Sequence, residues 1–204
     1  IRDRYKGTNA SDGIGIGTAV IVEEAELIIT RREVNDTEAE VQRFKGALET
    51  TIAETQKMAE DLAARVGEKE AEIMQGHMML LSDPMLTGEI ENSIQNDKVN
   101  SEFAIENVCN MYADMFASMG DELMQQRATD MRDIKVRMQR TLMGLQSVDV
   151  SALPAGTILV AKDLTPSMTA GINPANVTGI VTELGGRTSH SAILARALEI
   201  PAVV

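Results

Sequence analysis

The chain has little of several residue types, and each scarcity limits what it can do. Aromatic residues make up 2% of its 204 residues and tryptophan is absent, so recognition of nucleic acid by base stacking is disfavoured. Methionine, leucine, isoleucine and valine must therefore fill the core, and methionine is abundant at 13. The single cysteine, Cys109, excludes an intrachain disulfide, and its position in an apolar-periodic run favours packing over chemistry.

Positive charge and long apolar runs are also scarce. The 19 Lys and Arg residues face 31 Asp and Glu residues, which gives a net charge of -12. This balance disfavours a nucleic-acid backbone or an anionic membrane as a partner and favours a basic protein. No run approaches the length of a membrane span, and the first residues lack a signal-peptide core. We therefore expect a cytoplasmic protein with no nucleic-acid partner and no membrane insertion.

Strand-like residues occupy both ends of the chain, and helical periodicity occupies its middle. The β-branched residues and glycines between about residues 14 and 32 predict two strands, and "TILVAKDL", "VTGIVTEL" and "IPAVV" predict three more near the other end. Between them, about five apolar-periodic segments predict a helical bundle. We expect an α/β domain built from residues 1–32 and 146–204, with an all-α bundle, residues 33–145, inserted between them.

Capping residues predict where several helices of this bundle begin. Thr37 and Glu40 have the spacing of a capping box. Asp83 precedes Pro84, which suits the first position of a helix, and Ser101 can cap the helix after that.

One of the two histidines, His190, lies in "GGRTSHSAILAR", which predicts a tight turn after a strand and a helix beginning near Ser189. Backbone N–H groups in a first helical turn lack partners and the dipole there is positive, so an anionic group on the ring is stabilised and the imidazolium form is disfavoured. A neutral ring keeps a lone pair for nucleophilic attack. The residues that could turn the backbone towards a phosphate and supply donors are Gly185, Gly186, Arg187, Thr188 and Ser189.

Other interpretations of the motifs are weaker or stay open. A Ser/His/Asp triad is disfavoured because "GGRTSH" lacks the flanking glycines of a nucleophile elbow and no acid is clearly placed to orient the ring. The residues alone leave open that His190 is an ordinary helix N-terminal residue. The early "GIGIG" is not a dinucleotide fingerprint, because it leads into a strand rather than a helix.

The stretches "GGRTSHSAILAR" and "EIPAVV" resemble the phosphohistidine motif of enzymes that use phosphoenolpyruvate: enzyme I of the sugar phosphotransferase system, phosphoenolpyruvate synthase and pyruvate phosphate dikinase. "DLTPSMTA", "GHMMLLSDP" and the helical insert resemble the N-terminal part of the enzyme I family in particular. The resemblance implies that His190 takes a phosphoryl group from phosphoenolpyruvate on Nε2 and passes it to a histidine of the small carrier HPr. It also implies that the Thr169 hydroxyl binds the other ring nitrogen.

The same resemblance implies that the insert is an HPr-binding domain, with carrier contacts at Glu68, His77, Asp83 and Arg127. Each of these charges could instead belong to a solvated helix face. A metal site of His77, Asp83 and Glu68 is weak, because it has one nitrogen ligand and no zinc spacing. We expect no cofactor in this chain, since the family binds phosphoenolpyruvate and Mg²⁺ in a C-terminal barrel domain that is missing here.

Two other functions compete with this one. A swivelling phosphohistidine domain of a synthase or dikinase would share the His190 motif, but those enzymes lack the helical insert in this form. A helical interaction module with an inert His190 would need no catalysis at all.

Overall fold

The computed structural model describes residues 3–186 and 189–204. Contacts divide the chain into two compact units. The α/β unit comprises the residues up to Glu24 together with Leu62–Glu70 and Val148–Val204, and the helical unit comprises Ala25–Asp61 and Ala71–Ser147. The sequence places the boundaries at 32/33 and 145/146. That these boundaries separate independently folding domains stays a prediction.

The α/β unit contains a five-stranded mixed sheet. Its strands lie in the order β1-β5-β4-β3-β2, with β2 to β5 parallel and β1 antiparallel to β5. The strands are β1 (Asn9–Ser11), β2 (Thr18–Ile21), β3 (Thr157–Ala161), β4 (Val177–Thr182) and β5 (Ala202–Val203). The three strands predicted near the end of the chain are therefore confirmed.

The second strand predicted between residues 14 and 32 is wrong. Only β2 forms there, and the chain after it makes one isolated bridge, between Glu33 and Val99. The Asn100 side chain binds two backbone groups of this segment. Its amide nitrogen donates to the carbonyl oxygen of Thr30 (3.1 Å), and its oxygen accepts from the backbone N–H of Arg32 (2.8 Å). A single side chain thus satisfies backbone groups that a neighbouring strand would otherwise bind.

The "GIGIG" segment crosses close to the sheet, which explains its glycines. A side-chain carbon on Gly15 would collide with the carbonyl oxygen of Thr178, and one on Gly17 would collide with that of Gly156. The segment then leads into β2, as the sequence predicts. Glycine is needed here for close backbone approach, a structural role.

Seven helices complete the described structure. Five follow β2 in sequence: α1 (Thr37–Arg65), α2 (Glu68–Leu81), α3 (Pro84–Asp97), α4 (Ser101–Ser118) and α5 (Glu122–Met143). The α/β unit adds α6 (Pro166–Ala170) and α7 (His190–Ala197). The last turn of α1 groups with the α/β unit because Arg65 donates hydrogen bonds to the carbonyl oxygens of Ala170 (2.6 Å) and Ile172.

Helix starts follow the predicted capping residues only in part. Asp83 caps α3 by accepting from the Met85 N–H at 2.9 Å, as predicted. The predicted capping box of α1 does not form: Asp36 is the residue that accepts, from Ala39 N–H (3.0 Å), while Glu40 accepts from the backbone of Ser101 (2.8 Å). Ser101 is the first residue of α4 rather than its cap, which is Asn100. Glu40 makes no capping box at the start of α1 because its carboxylate binds Ser101, and Asn100 makes no side-chain cap bond because its amide binds residues 30 and 32.

Each unit has its own apolar core. In the helical unit the largest fully buried side chains come from all five helices, and they include Phe44, Leu81, Ile90, Ile105 and Ile134. In the α/β unit Leu159 and Ile180 of the sheet pack with α7 residues Ala192 and Ala195. The predicted combination of a helical bundle and an α/β part is confirmed at this level.

A buried carboxylate joins α4 to α1 in the helical unit. Glu102 is 6% exposed; it accepts hydrogen bonds from Arg43 and from Asn100 (2.8 Å). Arg43 also donates to the carbonyl oxygen of Leu142 (2.9 Å). Burial acts to raise the pKa of Glu102, but the hydrogen bonds from Arg43 and Asn100 outweigh it, so the pKa lies below the ordinary value of 4.5.

This carboxylate should make the helical unit sensitive to acid. The stability that Glu102 contributes is fully present above its unfolded-state pKa and is lost as the pH falls from about 4.5 through its lower folded-state pKa. Glu102→Gln should flatten that acid limb and lower the free energy of unfolding at pH 7 by about 2 kcal/mol, less than for a fully buried pair because Arg43 is partly solvated. Urea denaturation followed by circular dichroism between pH 3 and 7 measures both effects. Glu49→Gln, at an exposed position of α1, is the control, and an equal loss there would contradict the assignment.

Candidate functional site

His190 is the first residue of α7, directly after the turn that follows β4. Ser189 caps the helix by accepting from the Ala192 N–H (3.3 Å), and its hydroxyl donates to the carbonyl oxygen of Gly186 (2.7 Å). The sequence-predicted helix start near Ser189 is therefore confirmed. The helix dipole is positive at this first turn and favours negative charge beside it.

The turn before His190 depends on glycine at one position. Gly185 has a φ of +115°, a conformation that side-chain-bearing residues rarely adopt. A side-chain carbon on Gly186 would meet nothing within 4 Å, so no local clash requires glycine there. Arg187 and Thr188, two of the three predicted donors of this turn, lie outside the described residues.

The His190 ring is half-buried, and its Nε2 atom is buried. Exclusion of water from this atom would protect a phosphoryl group bound to it from hydrolysis. The hydroxyls of Ser189 and Ser191 lie 3.1 Å apart beside it in sequence. The surroundings of His190 are thus polar and partly shielded from solvent.

Thr169 lies on α6, which packs against α7. Its side chain is 2% exposed, and its hydroxyl donates to the carbonyl oxygen of Thr165 at 2.9 Å. Because that bond uses the only hydroxyl proton, the oxygen can act towards a further partner only as an acceptor. The structure therefore brings the helices of Thr169 and His190 together and leaves Thr169 suited to accept from an imidazole N–H.

The four residues predicted to contact a carrier lie in different settings. Glu68 is exposed in the first turn of α2 and groups with the α/β unit. Asp83 and Arg127 are half-buried residues of the helical unit. His77 is 0% exposed, and its Nε2 lies 2.9 Å from Asp130 Oδ1. The imidazole of His77 thus lies beneath the surface, so a direct contact with another protein would require it to leave this pair.

Sequence reasoning missed an exposed apolar surface on the helical unit, because methionine was assigned to the core. Six of the nine large exposed apolar side chains of that unit are methionines. We use the name methionine face for five exposed methionines carried by α2, α3, α4 and the residue that ends α4; each is 45–68% exposed, and they are Met79, Met85, Met111, Met115 and Met119. The spacing of four between Met111, Met115 and Met119 is the sequence signal that could have revealed a stripe along α4.

Tyr112 connects the α3 and α4 parts of this face. Burial and the neighbouring Glu89 and Asp83 raise the pKa of Tyr112. Met85 lies one helical turn before Glu89 on α3, and Met115 lies one turn after Tyr112 on α4. Met85 and Met115 therefore each lie about one helical turn from Glu89 and Tyr112, on two helices that are in contact.

Two further observations limit the chemistry of the described residues. Among residues 3–186 and 189–204, no group of three or more His, Cys, Asp or Glu side chains could hold a metal ion. Cys109 is buried, and burial raises the pKa of its thiol to about 12, so it is unreactive as a thiolate.

No helix in the described part of the chain has the length and apolarity needed to cross a membrane.

Two family models match the chain. The model described as "PEP-utilising enzyme, N-terminal" matches residues 6–127, and the model described as "PEP-utilising enzyme, mobile domain" matches residues 153–204. The first match covers β1, β2 and most of the helical unit, and the second contains Thr169 and His190.

Curated relatives match along nearly the whole chain. The phosphoenolpyruvate-protein phosphotransferase of Listeria monocytogenes is 46% identical over 199 residues, which is 98% of this chain and 35% of the relative. The Bacillus subtilis protein of the same name is 43% identical over 199 residues, with the same coverage. The chain thus spans about a third of the length of these relatives.

Two solved structures of enzyme I proteins also match nearly the whole chain. A solution structure of an Enzyme I protein superposes with a TM-score of 0.84 at 40% identity, covering 97% of this chain and 81% of that one. The N-terminal domain of a nitrogen-type Enzyme 1 superposes with a TM-score of 0.67 at 28% identity, covering 98% of this chain and 82% of that one. The resemblance to enzyme I found in the sequence is confirmed.

Proposed function

Because the chain belongs to the phosphoenolpyruvate-utilising enzymes, we propose that it carries a phosphoryl group on His190 and exchanges it with the carrier HPr during sugar uptake in the cytoplasm. The observation that carries this proposal is the position of His190: it begins α7 after a glycine turn and lies on a helix that packs against the helix of Thr169. The names of the relatives support the reaction class.

In the proposed mechanism, Thr169 sets the tautomer of the nucleophile. Its hydroxyl proton is already donated to Thr165, so its oxygen accepts from Nδ1–H of His190 and leaves Nε2 unprotonated. The Nε2 lone pair then forms the N–P bond while the P–N bond of the phosphorylated carrier breaks and its electron pair returns to the carrier imidazole. With phosphoenolpyruvate as donor, a P–O bond breaks instead and the enolate of pyruvate leaves. The N–H groups at the start of α7 stabilise the charge of the bound phosphoryl group.

The helical unit offers the docking surface for the carrier. The methionine face supplies adaptable apolar contact area, and Asp83 adds negative charge at its edge. A net charge of -12 suits a basic partner, because opposite potentials accelerate encounter and fix orientation. We propose that Arg127 and Glu68 contact the carrier directly, and that His77 acts as a positioning residue that holds α2 against α5 through Asp130.

The remainder of the parent protein supplies what this chain lacks. The chain covers 35% of its curated relatives, and we propose that phosphoenolpyruvate and Mg²⁺ bind to the C-terminal domain outside it. The described residues do not fit a metal, since they contain no group of three suitable side chains. We propose that the step from phosphoenolpyruvate depends on that further domain.

Docking should weaken when charge is removed beside the methionine face. Asp83→Asn removes the charge but keeps a good helix cap, so we expect HPr affinity to fall by about two- to fivefold, the range of a solvated charge pair. The association rate should fall as salt is raised, because the Debye length shrinks below about 8 Å above physiological ionic strength. Calorimetry and stopped-flow mixing measure these quantities. Asp97→Asn, at the other end of α3, is the matched control, and equal effects at both positions would contradict this docking surface.

A further inference from the structure

The methionine face has a chemical property that the docking role does not use. A thioether is a soft nucleophile, and peroxides oxidise it to a sulfoxide, which is polar and chiral. A docking surface could be built from leucine or phenylalanine, which resist this reaction. The helical unit instead presents Met79, Met85, Met111, Met115 and Met119 to solvent.

The methionines of this unit differ widely in exposure, and Met143, which is 40% exposed and lies outside the methionine face, is also open to an oxidant. The five residues of the methionine face are 45–68% exposed, whereas Met74, Met131 and Met138 in the core are at most 1% exposed. Oxidation of methionine follows solvent access, so a mild oxidant should reach the face and spare the core. The fold therefore makes oxidation selective for the exposed methionines without a dedicated binding pocket for the oxidant.

We propose that the methionine face is a site of reversible oxidation by hydroperoxides, and that its oxidation weakens docking of the carrier. In this reaction the sulfur lone pair attacks one peroxide oxygen and the O–O bond breaks. That oxygen stays on sulfur, and the other leaves as water, or as an alcohol, carrying the proton. Sulfur is oxidised by two electrons and the peroxide is reduced by two. This inference rests on the proposed function, since the affected property is carrier binding.

The loss of affinity follows from desolvation. In the reduced state each exposed thioether contributes apolar area that the carrier can cover at little cost. A sulfoxide oxygen is a strong acceptor, and covering it without a hydrogen-bond partner is unfavourable. Because several members of one face change together, we expect affinity to fall at least about tenfold.

The experiment uses the full chain, hydrogen peroxide and purified HPr. Peptide mass mapping counts the oxygens on each methionine, circular dichroism confirms that the chain still melts cooperatively, and calorimetry gives the affinity before oxidation, after it, and after treatment with methionine sulfoxide reductases. The matched variant carries M79L, M85L, M111L, M115L and M119L, which conserve apolar volume and remove the reactive sulfur. If this variant does not fold, the double variant M85L/M115L takes its place and should lose part of the sensitivity.

The expected result is a folded, surface-oxidised chain that binds HPr at least about tenfold more weakly, recovers after reduction, and loses this sensitivity in the leucine variant. Unchanged affinity after oxidation of the face overturns the inference and leaves the proposed function intact. If oxidation weakens HPr binding equally in the leucine variant, the inference is also overturned and the proposed function stays intact, because the loss of affinity then comes from oxidation outside the methionine face. If the unoxidised, folded chain does not bind HPr, the proposed function fails and this inference fails with it.

Discussion

His190→Gln is expected to abolish labelling of the chain by phosphorylated HPr. Glutamine keeps a polar side chain at the first position of α7 but has no imidazole lone pair to form the N–P bond. The helix content should stay nearly unchanged, because Ser189 continues to cap α7. Mass spectrometry of the intact chain measures the loss, and circular dichroism measures the fold.

The second histidine provides the control for this experiment. His77 is buried beside Asp130 in the helical unit, so a folded His77→Gln variant should be labelled more slowly, through weaker docking, but to the same final extent. The bond formed should be a phosphoramidate, lost in acid and stable in base, unlike an ester on Ser189 or Ser191. A His190 variant that still gains an acid-labile phosphoryl group would show that the nucleophile has been misassigned.

The largest difference in labelling rate is expected between two phosphoryl donors. With phosphoenolpyruvate and Mg²⁺ alone, this chain should be labelled at least about a thousandfold more slowly than with phosphorylated HPr, because phosphoryl transfer depends on positioning and charge stabilisation. The chain has a candidate nucleophile and a candidate docking face, but its described residues offer no group of three side chains that could hold a metal ion. Transfer from phosphorylated HPr should be reversible, since both donor and acceptor are phosphohistidines.

Labelling time courses with each donor measure this contrast, and a cooperative thermal transition must be shown for the same sample. Addition of the C-terminal part of a relative, the about two thirds that this chain does not match, should raise the rate with phosphoenolpyruvate. A folded chain that phosphoenolpyruvate labels rapidly, or that phosphorylated HPr never labels, would overturn the proposed relay.

Features with local causes were predictable from the sequence. The glycine pair, the Ser189 cap and the apolar period after it specify the start of α7 within a few residues, so the placement of His190 followed directly. Asp83 and Pro84 specified the start of α3 in the same way. The enzyme I motifs then supplied the chemistry that such a position can perform.

Features with distant causes were not predictable. The Asn100 side chain binds the backbone of residues 30 and 32, about 70 positions away, where local propensity favours a strand. Glu40 has the capping spacing, but it accepts from Ser101 instead. Whether a methionine faces the core or solvent depends on how five helices pack, and for that reason the methionine face was missed. The burial of His77 depends on Asp130, 53 residues later.

The pairing of β2 with β3 has a consequence for how the chain folds. Ile21 pairs with Val160, so one of the earliest strands must wait for a partner that is made well over a hundred residues later. The helical unit is nearly contiguous between these strands, and most of its contacts can form during synthesis. We therefore expect the helices to fold first and the sheet to close last, as a slow phase set by contacts of long sequence separation. Until closure, Val20 and Leu159 remain exposed, so newly made chains should be most prone to aggregation in that interval.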